Sequence, residues 1–306
     1  MSHSQTYAII SGVAKSGSTF LYDLLSKHPR IGAASMKETH FFLSKNNPLI
    51  NKKKNCHKDD LSVFDSYFNP TPTHQYLLEA SVALFSDLGA PNRIKQLNKP
   101  KIIFILREPA ARIYSSFAFS KHNWALFKED VTFQDFVDCL IQEDVDQMRQ
   151  WMKVGTKSIA NILSDELDTS NYYKHLSKWM NVFDTSQIKL VQYEKLIQNE
   201  EAILLDLTNW LDIDSLDLVE SEGLNQNATQ HIHSLSLHYY IRQLSYHLPS
   251  FLGKELLKKM YYKIQASPKK SKSESDLEAI AQLKRYYAPI NQALIGFPEI
   301  DLSLWE

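Results

Sequence analysis

Residues 7–25 read YAIISGVAKSGSTFLYDLL, and no other stretch restricts the fold as much. An apolar run ends at a glycine, a turn rich in Gly and Ser follows, and apolar residues then recur at helical spacing. The run Tyr7–Gly12 suits a strand buried on both faces of a parallel sheet. Phe20, Leu21, Leu24 and Leu25 mark one face of a helix that stops at His28-Pro29. Strand, glycine-rich turn and helix in that order aim backbone N–H groups and a helix N-terminus at one point. Such a point attracts an anion, above all a phosphate.

Further apolar runs continue the pattern. IGAAS (Ile31–Ser35), YLLEA (Tyr76–Ala80), KIIFILR (Lys101–Arg107) and IKLVQY (Ile188–Tyr193) read as strands. Pro109 stands at a favoured helix-start position and leads AARIYSSFAFSK. Residues 121–171 are helical by pattern. Strands alternating with helical segments predict an α/β fold of the P-loop NTPase-like kind, three layers with a central parallel sheet flanked by helices. At 306 residues the chain is long enough for a substantial core, and a single domain over 1–306 is expected. Asn46–Asp60 and Ser267–Asp276 are polar and read as exposed, the second as a mobile loop.

A net charge of -1 gives no support for bulk nucleic-acid or membrane-surface binding. The 2 cysteines, Cys56 and Cys139, make neither a disulfide framework nor a zinc pattern, so a reducing compartment is expected. Cys139 reads as a buried hydrophobe and Cys56 as a loop residue. No run reaches the roughly 18 apolar residues of a membrane span, and no basic-then-apolar leader opens the chain. The expectation is a cytoplasmic protein.

GVAKSGST (Gly12–Thr19) is close to the nucleotide-binding pattern G-x-x-x-x-G-K-[ST]. Gly12, Gly17 and Thr19 are in register, but Ser18 fills the lysine slot and a lysine sits earlier, at Lys15. An ATPase needs that lysine on the β/γ-phosphates and a carboxylate toward Mg²⁺. Here the strand at Ile102–Leu106 runs into Arg107, a cation suited to a second anionic group. The turn therefore looks retuned: it expects a nucleotide with phosphates at two separate places and no required metal. Ser16, Ser18 and Thr19 add hydroxyl donors, and Lys15 a charge.

At this point the chain resembles the PAPS-dependent sulfotransferase family, of the carbohydrate and bacterial type. PAPS is 3′-phosphoadenosine-5′-phosphosulfate; adenosine 3′,5′-bisphosphate (PAP) is what remains after transfer. GVAKSGSTFLYDLL resembles the family's 5′-phosphosulfate loop, ILREPAARIYSSF its 3′-phosphate motif, LVQYEKL the recurrent Y-E-D-L segment, and DLSLW the family's C-terminal end. The resemblance implies that Lys15, Ser16, Gly17, Ser18 and Thr19 hold the 5′ end, that Arg107 and Ser115 hold the 3′-phosphate, and that Tyr193 lies near the adenine. KETHFF (Lys37–Phe42) matches E-x-H-F-F, which implies Glu38 as catalytic base, with Lys15 as the catalytic cation. Two departures stand out. LEASVALF (Leu78–Phe85) has Ala80 where heparan-type members carry a lysine. The late basic loop has no clear counterpart in Asn225–Leu244, where Arg242 or a histidine is the available substitute.

Sulfuryl transfer needs an aligned acceptor, a base for its proton and fixed donors for the leaving phosphate. The aromatic pair Phe41-Phe42 is expected to desolvate Glu38 and raise its pKa. His40 is the rival base. Arg107 alternatively pairs with Glu108 or Glu79, Ser115 alternatively caps or packs its own helix, and Glu79 either orients Lys15 or is buried and paired. The expected reaction moves a sulfuryl group from PAPS to a hydroxyl, or an amine, of a small-molecule or saccharide acceptor, a lipid or a secondary metabolite. A P-loop kinase and a non-catalytic nucleotide-binding protein are the alternatives.

Overall fold

The computed structural model describes residues 6–153, 157–215, 231–232, 238, 241, 261, 266–267 and 271–306. Two compact units emerge: Met1–Arg112 with Asp168–Asn227 and Tyr287–Glu306, and Ile113–Leu167 with Ala228–Tyr286. The first holds a sheet of β1 (Thr6–Ile10), β2 (Ile31–Ala33), β3 (Tyr76–Ala80), β4 (Lys101–Leu106) and β5 (Ile188–Gln192). The order is β2-β3-β1-β4-β5, and every pairing is parallel. All the strands expected from the sequence are present, each within two residues of its expected ends.

The strands bury both faces, with alternate residues feeding separate cores. Tyr7, Ile9, Leu77, Ile102, Phe104, Leu106, Ile188 and Leu190 face a core shared with Tyr172, Leu176 and Trp179 of the helix Tyr172–Met180. Ala8, Ile10, Leu78, Ala80, Ile103, Ile105 and Val191 face the other, filled by the helices Ser18–Leu25 and Glu200–Leu211. This is the expected α/β, three-layer arrangement. Because the strands are parallel, every loop that leaves a strand C-terminus emerges at one edge of the sheet, where open α/β sheets bind ligands.

Two pieces of first-unit chain are fastened to that edge. The segment after β2 is pinned by Arg93, whose Nε donates to the Phe42 carbonyl at 2.6 Å and whose Nη2 donates to Ser44 Oγ at 3.1 Å and to the buried Asp87. Phe41 and Phe42 are fully buried there, ring against ring with Phe64. Residues 299–305 are laid against the end of β5. The Gln192 amide both donates to the Asp301 carbonyl at 2.9 Å and accepts from its N–H at 2.8 Å, and Lys195 Nζ donates to the Glu299 carbonyl at 2.7 Å.

The described residues of the second unit are mostly helical, with Phe133–Ile141 opened by a Thr132/Asp135 capping box, and include one short antiparallel pair, His231–Ile232 with Ala266–Ser267. Phe117, Phe127, Phe133 and Phe136 pack as a ring cluster within it. Cys139 is buried, as its apolar neighbours suggested, and Cys56 is half-buried. Among the described residues no helix is long and apolar enough to cross a membrane.

Candidate active site

Every strand of the sheet contributes to the site through the residues that follow its C-terminus. After β1 comes the glycine turn. Gly12 (φ 120°) and Gly17 (φ 91°) adopt backbone that favours glycine, and Lys15 also has positive φ, at 66°. Neither glycine has room for a side chain. A Cβ on Gly12 would lie 2.6 Å from Phe85 Cβ, and one on Gly17 would lie 2.9 Å from the Tyr193 ring. Gly17 caps the helix Ser18–Leu25 with no side-chain hydrogen bond to its first N–H groups, so those donors point outward uncapped. Ser16 is fully buried and its Oγ has no hydrogen-bond partner. A buried hydroxyl left so is costly unless something else accepts or donates. Bare N–H groups, an orphaned hydroxyl and a lysine are the donor set that a phosphosulfate requires.

After β4 comes Arg107. Its Nη1 donates to the Lys15 carbonyl at 3.1 Å, and its guanidinium stacks 4.7 Å above the Tyr193 ring that follows β5. Tyr193 in turn covers Gly17. Lys15, Gly17, Arg107 and Tyr193 are thus one contiguous group, assembled from residues far apart in sequence. Burial and the nearby Arg107 charge bring the Lys15 ammonium down to about 8. The carboxylate of Glu108 accepts from the N–H groups of Ala110 and Ala111, at the start of its own helix. Arg112 is fully buried, donating to Ser170 Oγ at 2.8 Å and to the Ala14 carbonyl at 3.4 Å. Ser115 is half-buried on the helix Pro109–His122, past the point where the chain enters the second unit. Arg242 and most of Asn225–Leu244 lie outside the described residues.

After β2 comes Glu38 with Lys37 and His40 beside it, and after β3 the Val82 N–H that also holds it. The Glu38 N–H donates to the Ala80 carbonyl at 2.8 Å. Its carboxylate accepts from Lys37 Nζ at 2.8 Å, His40 Nε2 at 3.1 Å and the Val82 N–H at 3.1 Å. Positive φ at Glu38 (61°) and His40 (53°) turns the chain so that both side chains meet. Here the structure corrects the sequence reading. Burial does push the Glu38 carboxyl up, but the hydrogen bond from His40 and the charge of Lys37 outweigh it, and the pKa sits below the ordinary glutamate value. Phe41 and Phe42 belong to the core rather than to a wall that neutralises this carboxyl.

Glu79, on β3, is the raised carboxyl. It is fully buried; Oε1 accepts from the Thr39 hydroxyl at 2.9 Å, from the Thr39 N–H at 3.3 Å and from the Ser81 hydroxyl, and Oε2 has no partner. Burial, with the Glu38 charge as a lesser cause, takes it up to about 7 against the pull of the Ser81 and Thr39 hydrogen bonds. The Ser81 hydroxyl also accepts from the His40 N–H at 3.1 Å, so the two carboxyls share one hydrogen-bond network. Of the two readings left open for Glu79, burial with hydrogen-bonded partners is the one observed.

Comparison with known proteins agrees with this geometry. The model of the family described as "Sulfotransferase domain" matches residues 5–240. The chain belongs to the sulfotransferase family. PAPS is therefore its sulfuryl donor and PAP its nucleotide product. Heparan sulfate glucosamine 3-O-sulfotransferase 5 of Mus musculus is 24% identical over 286 residues, covering 93% of this chain and 70% of the relative. Bifunctional heparan sulfate N-deacetylase/N-sulfotransferase 1 of Caenorhabditis elegans is 26% identical over 211 residues, covering 67% of this chain but 22% of the relative. A sulfotransferase from Alicyclobacillus acidocaldarius shares the fold, with a TM-score of 0.65 at 18% identity over 98% of each chain.

Several residues that build the site were not singled out by sequence. Tyr172 donates through its hydroxyl to the Arg107 carbonyl at 2.7 Å. The Val82 N–H holds Glu38 at 3.1 Å. Glu194 and Trp305, which hydrogen-bond each other at 2.9 Å, stood inside quoted motifs without a role. Their signal was present only as position: a glutamate directly after Tyr193 and a tryptophan in the last segment.

Proposed function

We propose that the chain sulfates a hydroxyl of a saccharide acceptor, with Glu38 as general base and Lys15, the loop N–H groups and Arg107 holding the donor. In this reading the acceptor oxygen attacks sulfur, its proton passes to a Glu38 oxygen, and the S–O bond to the 5′-phosphate breaks as PAP departs with the electron pair. Lys15 and the N–H groups of the turn face the charge that grows on the leaving phosphate. Arg107 and Ser115 are assigned to the 3′-phosphate and Tyr193 to the adenine side. The single observation that carries the base assignment is the ionised carboxylate at the β2 end, fixed by three donors at the same sheet edge as the glycine turn. A saccharide is favoured by relatives whose names specify glucosamine or heparan sulfate. Those names include both O- and N-sulfation.

The 3.1 Å bond between His40 Nε2 and Glu38 Oε2 favours a second reading, in which Glu38 orients His40 and the imidazole takes the proton. Steady-state turnover of PAPS against a panel of hydroxyl and amine saccharides, lipids and secondary metabolites identifies the acceptor. With it, Glu38→Gln and His40→Asn separate the bases. Loss of about 10²–10⁴-fold in kcat for the first, with a much smaller loss for the second, is the expected pattern. The reverse order hands the proton to His40. PAP binding without turnover on any acceptor would leave a nucleotide-binding protein instead.

A further inference from the structure

One peptide unit in the site is held from both sides. It is the bond between Arg107 and Glu108. Its carbonyl accepts from the Tyr172 hydroxyl at 2.7 Å, and its N–H donates to Glu194 Oε1 at 2.9 Å. The other oxygen of Glu194 accepts from Trp305 Nε1 at 2.9 Å. The Trp305 indole also packs edge-on against the Tyr172 ring, with centroids 5.8 Å apart. Trp305 therefore touches both groups that grip the peptide, and it is itself buried.

What places Trp305 is equally specific. Asp301 caps the turn Leu302–Trp305 through the Ser303 N–H at 3.0 Å and hydroxyl at 2.6 Å, and Gln192 at the end of β5 grips Asp301 in both directions. Tyr193, between Gln192 and Glu194, supplies the ring under the Arg107 guanidinium. Three consecutive residues at the end of β5 and just past it thus act on one target: Gln192 anchors the strap of residues 299–305, Tyr193 carries the Arg107 side chain, and Glu194 fixes the Arg107 backbone. A hydrophobic contact alone would need neither the half-buried Glu194 carboxylate nor the paired indole N–H.

We propose that Glu194 and Trp305 are positioning residues for the donor: they hold the Arg107 peptide so that its guanidinium is preset for the 3′-phosphate. The proposal rests on the assignment of Arg107 to that phosphate. Preorganising an arginine lowers the cost of ordering it when the ligand arrives. The clamp therefore acts on ligands that carry a 3′-phosphate and leaves those that lack one unaffected.

Calorimetric titration of the full chain with PAP and, separately, with adenosine 5′-monophosphate tests this. Trp305→Phe keeps the ring and removes the N–H. Glu194→Gln places an amide N–H₂ against one of two donors. Each is expected to weaken PAP binding about 3- to 10-fold, as loss of a charge-assisted hydrogen bond to a positioning group does, and to leave the monophosphate unchanged. Arg107→Ala weakens PAP more, and Trp305→Phe added to it has no further effect. Equal weakening of both nucleotides means the strap only stabilises the fold, and wild-type affinity for both means it is idle; either overturns the proposal. If Arg107→Ala itself leaves PAP binding unchanged, the 3′-phosphate assignment is wrong and the clamp falls with it. Trp305→Phe alone keeps the test decisive should the Glu194 variant fail to fold.

Discussion

Replacing Glu79 by Gln should make the protein more stable at pH 8 and leave it little changed at pH 5. The carboxyl is fully buried, and its pKa rises from 4.5 to about 7. Between those values the folded state keeps a proton that the unfolded chain has released. Stability from this group is fully present below pH 4.5, is lost as pH rises, and is gone above about 7. The gap of about 2.5 in pKa, at ~1.36 kcal/mol each, puts the loss at roughly 3 kcal/mol. Gln mimics the protonated acid. Its carbonyl oxygen can keep the Thr39 and Ser81 donors, and its amide N–H₂ stands where Oε2 stands without a partner. Urea unfolding of both proteins at intervals from pH 5 to 8 measures the difference directly, because carboxyls not coupled to Glu79 cancel in it. The expected difference opens with pH and levels above about 7.5. A constant offset across the range, or a variant that is less stable at pH 8, would refute the reasoning and place an ionised Glu79 in the fold.

The Lys15 ammonium, brought down to about 8, predicts that kcat/KM for PAPS falls as pH rises through about 8, since that ratio reports the free enzyme. Arg107→Ala should move this limb upward by the smaller, charge-related part of the shift, and an unmoved limb would assign it to another group. Proton uptake on PAP binding near pH 8, read as a dependence of the calorimetric heat on buffer ionisation enthalpy, should accompany it. Gly17→Ala meets positive φ, at about 1–2 kcal/mol, and the Tyr193 ring, at about 1–3 kcal/mol. It should abolish measurable PAP binding and lower Tm by several degrees, and wild-type affinity would show that the turn tolerates a Cβ.

The sheet was legible because strands buried on both faces must be apolar throughout, and each of these runs stops at a polar or small residue. Leu77-Leu78 and Ile102–Leu106 serve two cores at once, which no helix of that length would do. Lys15, Gly17 and Arg107 were legible for a related reason: they directly follow strands, and strand ends in a parallel sheet converge. Glu38 was placed correctly after β2 but its electrostatics were not, because its pKa depends on the positive-φ turn that brings the His40 ring back to the carboxylate. That turn leaves no mark in local pattern. Glu79 was open to two readings, a partner of Lys15 or a buried and paired carboxyl, and only the fold decides between them, by burying it completely against Thr39 and Ser81. The groups that hold the Arg107–Glu108 peptide were the hardest to see, since Tyr172 and Glu194 come from 65 and 87 positions beyond Arg107, and Trp305, which touches both of them, from 198.

The free protein treats its two halves of the reaction differently. On the donor side, the Ser16 hydroxyl has no partner, the first helical N–H groups have no side-chain cap, and two cations stand close enough for one to depress the other. On the proposed donor assignment an arriving phosphate relieves all three, so binding there needs little rearrangement. On the acceptor side the position is reversed. Glu38 already has three donors, and a carboxylate so satisfied is a poor base until it gives one up. Val82 is backbone and stays. Lys37 and His40 are side chains, each about 20% exposed, and can turn away. With Glu38 as the proposed base, release of one of them by an incoming acceptor would free a lone pair for the proton and lift the Glu38 pKa toward that task. On that proposal the acceptor activates the base, and a donor bound alone faces a carboxylate that is not yet ready to act.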